Sequence, residues 1–147
     1  MELGSSAGSL SRSDAAVIAA ERGEEKAVLA WLDSGGRVNA TYERDGVSGL
    51  TLLMSAASNG HERVVELLIQ RGAEVNVQNS VGWTALMNAA YHGHERVVEL
   101  LIWHGAEVNL RRSDGGTALI YSALNGHERV VELLLQRGAG ANLQDSV

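Results

Sequence analysis

The sequence His-Glu-Arg-Val-Val-Glu-Leu-Leu occurs three times without change, beginning at His61, His94 and His127. The copies are spaced by 33 residues each time. Identity at a fixed period of this length is typical of proteins built from stacked repeats, in which each unit packs on its neighbours in sequence. Because the unchanged segment is shared scaffold, we expect the residues that recognise a partner to lie where the copies differ.

Four units align on this period, each with two short helical segments. A glycine follows each segment, and an asparagine follows the second glycine within four residues. Glycine directly after a helix suits the left-handed backbone of a C-terminal cap. The predicted first helices are Asp14–Arg22, Thr51–Asn59, Thr84–His92 and Thr117–Asn125; the predicted second helices are Glu24–Ser34, His61–Arg71, His94–His104 and His127–Arg137.

Both helices of a unit have a composition that requires neighbours. The second helix of the second unit carries a broad apolar stripe, Val64 to Ile69 interrupted by Glu66, which is too wide for a helix packed on one side only. First helices carry small residues such as Ala89-Ala90, which allow close helix approach. Trp31 aligns with Leu68 of this stripe and is predicted to lie in the core.

The segment Gly82–Asn109 resembles the ankyrin repeat. It contains, in order, Gly-x-Thr-Ala-Leu, Ala-Ala-x-x-Gly-His, Val-Val-x-x-Leu-Leu and Gly-Ala-x-Val-Asn. The resemblance implies an all-α ankyrin-repeat solenoid of four helix-turn-helix units with β-turn fingers. It implies a concave surface of fingers and first helices and a convex back of second helices. It also implies a non-enzymatic module that binds another protein.

The predicted organisation is a flexible N-terminal tail over 1–12 and a repeat domain over 13–147. The units are about 13–40, 41–77, 78–110 and 111–147. The last unit keeps the internal pattern in its second helix, whereas terminal repeats normally carry a polar outer face. We therefore expect an incomplete or uncapped end, and an alternative function follows: a structural spacer or homotypic assembly segment of a larger protein, with self-association through the C-terminal repeat.

The fingers depart from the family pattern in two ways. From Asn39 to Thr51 is 12 residues, whereas from Asn76 to Thr84 is 8, and Asp45-Gly46 predicts a tight turn in an extended first finger. In the family, a Thr-Pro-Leu-His opening commonly supplies a histidine that joins neighbouring fingers. Met or Ile stands in its place here, so we expect packing to replace those hydrogen bonds.

Composition excludes several function classes. A net charge of −6 and a pI near 5.3 argue against nucleic-acid binding. The sequence has no cysteine, which removes disulfides and zinc-thiolate sites and fits an intracellular, cytoplasmic or nuclear protein. No apolar run approaches the ~20 residues that span a bilayer, so no membrane insertion is predicted. No catalytic, cofactor-binding or metal site is predicted, because no triad, phosphate loop or ligand cluster is present.

The predicted partner-binding surface is centred on aromatic residues of the third unit, Trp83 and Tyr91, with His92. The other predicted contacts are Leu50, Leu124, Tyr42, Ser58, Asn125 and Asp114. Exposed aromatics among small or polar residues are typical of binding hot spots. Replacing Trp83 and Tyr91 by Ala is expected to weaken binding by more than ~2 kcal/mol without unfolding the domain. The alternative is that Trp83 packs only on its own finger.

Three further sets of residues are interpreted from their positions in the repeat. The histidines at the start of the second helices, His61, His94 and His127, are predicted to be structural. Trp103 and His104 end a second helix away from the fingers and form a secondary contact or none. The recurring asparagines, Asn39, Asn76, Asn109 and Asn142, resemble hydroxylation sites of similar ankyrin proteins; stabilisation of their own β-turns is the preferred interpretation.

Overall fold

The computed structural model describes residues 12–140. The predicted tail lies outside these residues except for Arg12, at which the first helix begins. The helices and strands of the described part are α1 (Arg12–Arg22), α2 (Glu25–Asp33), β1 (Thr41–Arg44), β2 (Val47–Thr51), α3 (Leu52–Ser58), α4 (Glu62–Gln70), α5 (Ala85–Tyr91), α6 (Glu95–Trp103), α7 (Ala118–Leu124) and α8 (Glu128–Gln136).

The helix boundaries follow from capping residues that repeat with the units. Thr51, Thr84 and Thr117 precede α3, α5 and α7, and each hydroxyl accepts a hydrogen bond from the backbone N–H three residues ahead. This satisfies one of the N–H groups that a helix start leaves without a partner. Each predicted helix of these three units consists of the observed helix and its two capping residues, so the predicted boundaries are confirmed.

The four helix pairs stack side by side in chain order. The first helices α1, α3, α5 and α7 pack in one layer, and the second helices α2, α4, α6 and α8 pack in another. Ala57 and Ala90, at 0% exposure, lie between first helices and allow their close approach. The predicted helical solenoid is confirmed. Trp31 is only half-buried, although it packs against the core, whereas the aligned Leu68 is 0% exposed.

The first finger is a β-hairpin. β1 and β2 are antiparallel, and Tyr42 pairs with Leu50. Asp45 and Gly46 connect the strands with φ of 53° and 82°, the left-handed conformation at both positions that a two-residue hairpin turn requires. The predicted extended finger with its turn at Asp45-Gly46 is confirmed. Arg44 forms an ion pair with Glu21 and thereby joins the finger to α1.

The outward face of the last unit is less covered than the same face of earlier units. Ile120 is 36% exposed, whereas the aligned Met87 and Met54 are 1% and 3% exposed. Ala123 is exposed, whereas the aligned Ala90 is fully buried. These positions are apolar because the same pattern packs against a following unit elsewhere in the stack.

Candidate functional site

Histidines at the start of the second helices join neighbouring units. The Nε2 atoms of His61, His94 and His127 donate to the backbone carbonyls of Glu21, Ser58 and Tyr91, at 2.7, 2.9 and 2.9 Å. Each carbonyl lies at the end of the preceding unit's first helix. The structural interpretation of these three histidines is confirmed. The first unit has Glu24 at the same position.

Each of these rings also packs on a glycine of the preceding unit. A Cβ atom added to Gly93 would lie 2.5 Å from Nδ1 of His127, and Gly23 and Gly60 lie equally close to their histidines. A Cβ added to Gly126 would meet nothing within 4 Å. The unchanged Gly-His pair is therefore an inter-unit contact, which gives these histidines a role within the stack of repeats.

Asparagines after the second helices form a second row of contacts. Asn76 donates to the Gly105 carbonyl at 3.0 Å and accepts from the Glu107 N–H at 2.8 Å, so its amide connects two units. Asn39 and Asn109 make the same two bonds to the units that follow them. These side chains bridge neighbouring units, where the sequence suggested a role within their own turns. Asn142 lies outside the described residues.

The fingers are joined by hydrogen bonds as well as by packing. Met54 and Met87 are buried as expected. In addition, the Ser80 N–H donates to the Ser48 carbonyl, and Arg112 Nε donates to the Val81 carbonyl, both at 2.9 Å. Other residues of the fingers thus supply the connections that the missing family histidine would make.

Aromatic side chains of the third and fourth units form one cluster. The ring of Trp83 stacks on Tyr121 with centroids 4.6 Å apart and an interplanar angle of 23°. Tyr91 meets Trp83 edge-on at 5.6 Å, and His92 meets Tyr91 at 5.0 Å. We call Trp83, Tyr91, His92 and Tyr121 the aromatic patch. The structure therefore brings together the three residues at the centre of the predicted binding surface.

Tyr121 is the member of the patch that sequence reasoning missed. It is 9% exposed, and its hydroxyl is the buried side-chain group without a hydrogen-bond partner in the described part of the chain. Gly116 leaves room for this ring, because a Cβ at Gly116 would collide with the Tyr121 hydroxyl. The sequence contains one indication of this contact. The fourth unit has Gly116 where the third unit has Trp83, and Tyr121 where the third unit has Asn88, so a small residue and a large one are exchanged between neighbouring units.

The exposed part of the predicted surface consists of side chains from two consecutive first helices. Tyr91 is 41% exposed and Leu124, one repeat later, is 76% exposed. His92 and Asn125 follow them and are also exposed. Asn125 donates to the Tyr91 carbonyl at 2.8 Å, so its amide holds the two helices together beside the exposed rings.

Arginine and aspartate of the fourth finger border the patch. The Arg112 guanidinium lies over the Trp83 ring at 5.2 Å, a cation–π contact. Asp114 forms an ion pair with Arg112 at 3.8 Å and accepts a hydrogen bond from the Gly116 N–H. Asp114 thus helps to position Arg112, and through it the edge of the patch.

The remaining predicted contacts belong to the second unit. Tyr42 and Leu50 are half-buried partners across the hairpin, and the Tyr42 hydroxyl is hydrogen-bonded to Ser55. Burial raises the pKa of Tyr42 above its ordinary value. Ser58 is half-buried and its carbonyl accepts from His94. These residues stay predicted contacts, but no ring or hydrogen-bond contact places them in the aromatic patch.

The imidazole of His92 is the titratable group with a perturbed pKa in the patch. Partial burial, and then the neighbouring imidazoles of His94 and His127, lower its pKa below 6.5. The rings of His92 and His94 are 5.9 Å apart. Within residues 12–140, no group of three or more His, Cys, Asp or Glu side chains could hold a metal ion, and no helix is long and apolar enough to cross a membrane.

Comparisons with known proteins agree with this architecture. The family described as "Ankyrin repeats (3 copies)" matches residues 71–145, and the single "Ankyrin repeat" family matches 48–80. An ankyrin repeat-containing protein of Schizosaccharomyces pombe is 37% identical over 44% of this chain and 30% of its own length. Human protein phosphatase 1 regulatory subunit 12B is 45% identical over 36% of this chain and 5% of its own length.

Mouse protein phosphatase 1 regulatory subunit 12A is 39% identical over 44% of this chain and 6% of its own length. The chain therefore spans less than a third of the curated relatives that it matches. Ankyrin repeats are in general non-enzymatic protein-interaction modules. The family match over half of the sequence, the stacked helix pairs and the Gly-His contacts all agree: this chain belongs to the ankyrin repeat family.

Proposed function

We propose that this chain binds a partner protein through the aromatic patch and the adjoining Leu124. The observation that carries the proposal is the exposure of Tyr91 and Leu124, at 41% and 76%, side by side on consecutive first helices. The aligned residue of the second unit is Ser58, so the repeat itself does not require an apolar side chain there. Large exposed apolar groups beside polar ones are typical of binding hot spots.

The contacts around Tyr91 favour binding because they hold its ring before a partner arrives. Its ring rests edge-on against Trp83, and its carbonyl accepts from Asn125 and His127. Trp83 is itself fixed between Tyr121 and Arg112. A side chain that is already ordered loses less conformational entropy on association, so more of its contact energy appears as affinity.

The packing of Trp83 changes the choice of variants for the test. Trp83→Ala removes a ring that stacks on buried Tyr121, so it changes stability as well as binding. Tyr91→Ala with Leu124→Ser is the cleaner pair, since both side chains are exposed. Leu135→Ser is the matched control, because it also removes an exposed leucine, 54% accessible, from a second helix.

The experiment is affinity capture from cell extract, followed by binding measurements with the captured protein. We expect the partner to bind the Leu135→Ser variant as it binds the original chain. We expect the Tyr91→Ala, Leu124→Ser variant to lose more than ~2 kcal/mol, about a 30-fold increase in Kd. Equal affinity for all three proteins would contradict this site.

A second candidate function is homotypic assembly, with the outward face of the last unit packing on the same face of a second copy. The observation that favours it is Ile120, 36% exposed where Met87 is 1% exposed. Sedimentation over a concentration series tests it, and Ile120→Glu is expected to abolish association while Tyr91→Ala leaves it unchanged. A chain that stays monomeric at the highest concentration rules it out.

A further inference from the structure

Trp103 is the most exposed large hydrophobic side chain in the described part of the chain. It is 80% exposed and ends α6, in the layer of second helices. The aligned residues of the other units are Asp33, Gln70 and Gln136, all polar. The repeat therefore does not need a tryptophan here, and packing within the chain covers little of it.

In the first unit, the residue aligned with Trp103 forms an ion pair with the second unit. Asp33 of the first unit forms an ion pair with Arg71 of the second, with Oδ1 and Nη2 3.0 Å apart. Two units later, the same alignment places Trp103 opposite Arg137. The arginine is kept, but its carboxylate partner is replaced by an indole. Among residues 12–140, no carboxylate lies within ion-pair distance of Arg137.

Trp103 and Arg137 line a common groove between α6 and α8. The groove has a volume of about 270 Å³, and Arg96, Glu99 and Leu100 complete its walls. Glu99 is paired with Arg96 at 3.7 Å, which offsets its charge. The groove thus presents an exposed indole and a half-buried leucine beside an exposed guanidinium, on a protein whose net charge is −6. We call it the Trp103 groove.

We propose that the Trp103 groove binds a protein segment that carries an acidic side chain next to an aliphatic one. The partner's carboxylate would take the place that Asp33 has opposite Arg71, now opposite Arg137, where guanidinium geometry favours two parallel hydrogen bonds. The partner's aliphatic side chain would cover the indole of Trp103. This surface is separate from the aromatic patch and belongs to the layer of second helices.

The test uses a defined probe: a capped peptide of alternating Asp and Leu, and the same peptide with Lys in place of Asp. The chain has three tryptophans, so its indole N–H groups give three NMR signals, which single Trp variants assign. Titration with the Asp peptide is expected to shift the Trp103 indole signal and the Arg137 Nε–H signal in a saturable way. The Trp83 indole signal, in the aromatic patch, is expected to stay unchanged.

Three variants separate the charge from the apolar contact. We expect Arg137→Gln to raise the Kd of the Asp peptide at least tenfold, measured at the Trp103 indole signal. We expect the same increase for Trp103→Gln, measured at the Arg137 Nε–H signal. Trp103→Asp restores the arrangement of Asp33 and Arg71 within the chain, so it is expected to abolish binding. Raising NaCl from about 0.05 M to about 0.5 M should weaken the complex, because an exposed ion pair is screened by salt.

Three results would overturn the proposal: equal shifts with the Lys peptide, unchanged affinity of Arg137→Gln, or no shift at Trp103 up to the solubility limit of the Asp peptide. Because the side chains of Trp103 and Arg137 are exposed, all variants are expected to keep the fold, which unchanged circular dichroism verifies.

Discussion

Gly93 and Gly126 offer a direct measurement of the contact between neighbouring units. Both end a first helix, with φ of 75° and 74°, and the same eight residues follow each of them. A Cβ on Gly93 would meet the His127 ring at 2.5 Å, whereas a Cβ on Gly126 would meet nothing within 4 Å. The main difference between alanine at the two positions is therefore the collision with a histidine of the next unit.

The magnitudes follow from these contacts. Both variants place a Cβ in a left-handed conformation, which costs about 1–2 kcal/mol. Gly93→Ala must also displace the His127 ring. This displacement breaks the 2.9 Å hydrogen bond from His127 to the Tyr91 carbonyl, which costs about 1 kcal/mol. The added methyl group also overpacks the contact, which costs about 1–3 kcal/mol. We expect Gly93→Ala to lower the free energy of unfolding by about 2 kcal/mol or more beyond the loss in Gly126→Ala.

Urea unfolding, followed by far-UV circular dichroism, measures these differences in the free energy of unfolding. A stack of repeats can unfold in parts, which changes the dependence of that free energy on urea concentration. The variants are therefore compared only where this dependence equals that of the original chain. In the double variant with His127→Ala, the collision is absent, so the two substitutions should be coupled by about 2 kcal/mol. Equal destabilisation by the two glycine variants, or additivity in the double variant, would refute the role assigned to the Gly-His contact.

Three other predictions concern single side chains. Tyr121→Phe removes a buried hydroxyl that has no partner and should raise the free energy of unfolding by about 1–2 kcal/mol. Tyr42→Phe removes a hydrogen-bonded hydroxyl and should lower the free energy of unfolding by about 1 kcal/mol. Urea unfolding measures both changes, and changes of the same sign in both variants would contradict the prediction. Asn76→Ala breaks two bonds between units and should cost about 1–2 kcal/mol in the same assay; an unchanged midpoint would contradict it. Because folding lowers the pKa of His92, the unfolded chain binds protons more readily than the folded chain, and the free energy of unfolding should fall as the pH drops below about 7. Thermal melts at pH 7 and pH 5 measure this fall, which His92→Asn should reduce.

The helices could be predicted from the sequence because their signals are local. Each first helix of the last three units starts at a threonine that caps it, and each helix ends before a glycine, so the boundaries required no knowledge of the packing. The turn at Asp45-Gly46 was predictable for the same reason. The role of Asn76 was not, since its two partners lie 29 and 31 residues away and no local pattern encodes them.

The candidate site could be predicted only in part. Trp83, Tyr91 and His92 lie in one unit, so the alignment alone placed them near each other. Tyr121 comes from the next unit, at a position filled by Ser55 and Asn88 earlier, and its stacking on Trp83 depends on the space left by Gly116. Trp31 is less buried than its aligned position predicts, since an indole is larger than the leucine that fits there.

The histidine contact between units has a direction. A donor from the following unit meets a carbonyl of the preceding one, and repetition of such a head-to-tail contact between molecules would build an open-ended filament. A second copy added head-to-tail would present Glu24 to the last unit, at the position of His127 in the contact with Tyr91. An ionised carboxylate can only accept, as can the Leu124 carbonyl that it would face, so no hydrogen bond forms. The chain repeats this contact within itself, and a second copy added at the last unit would lack the histidine donor.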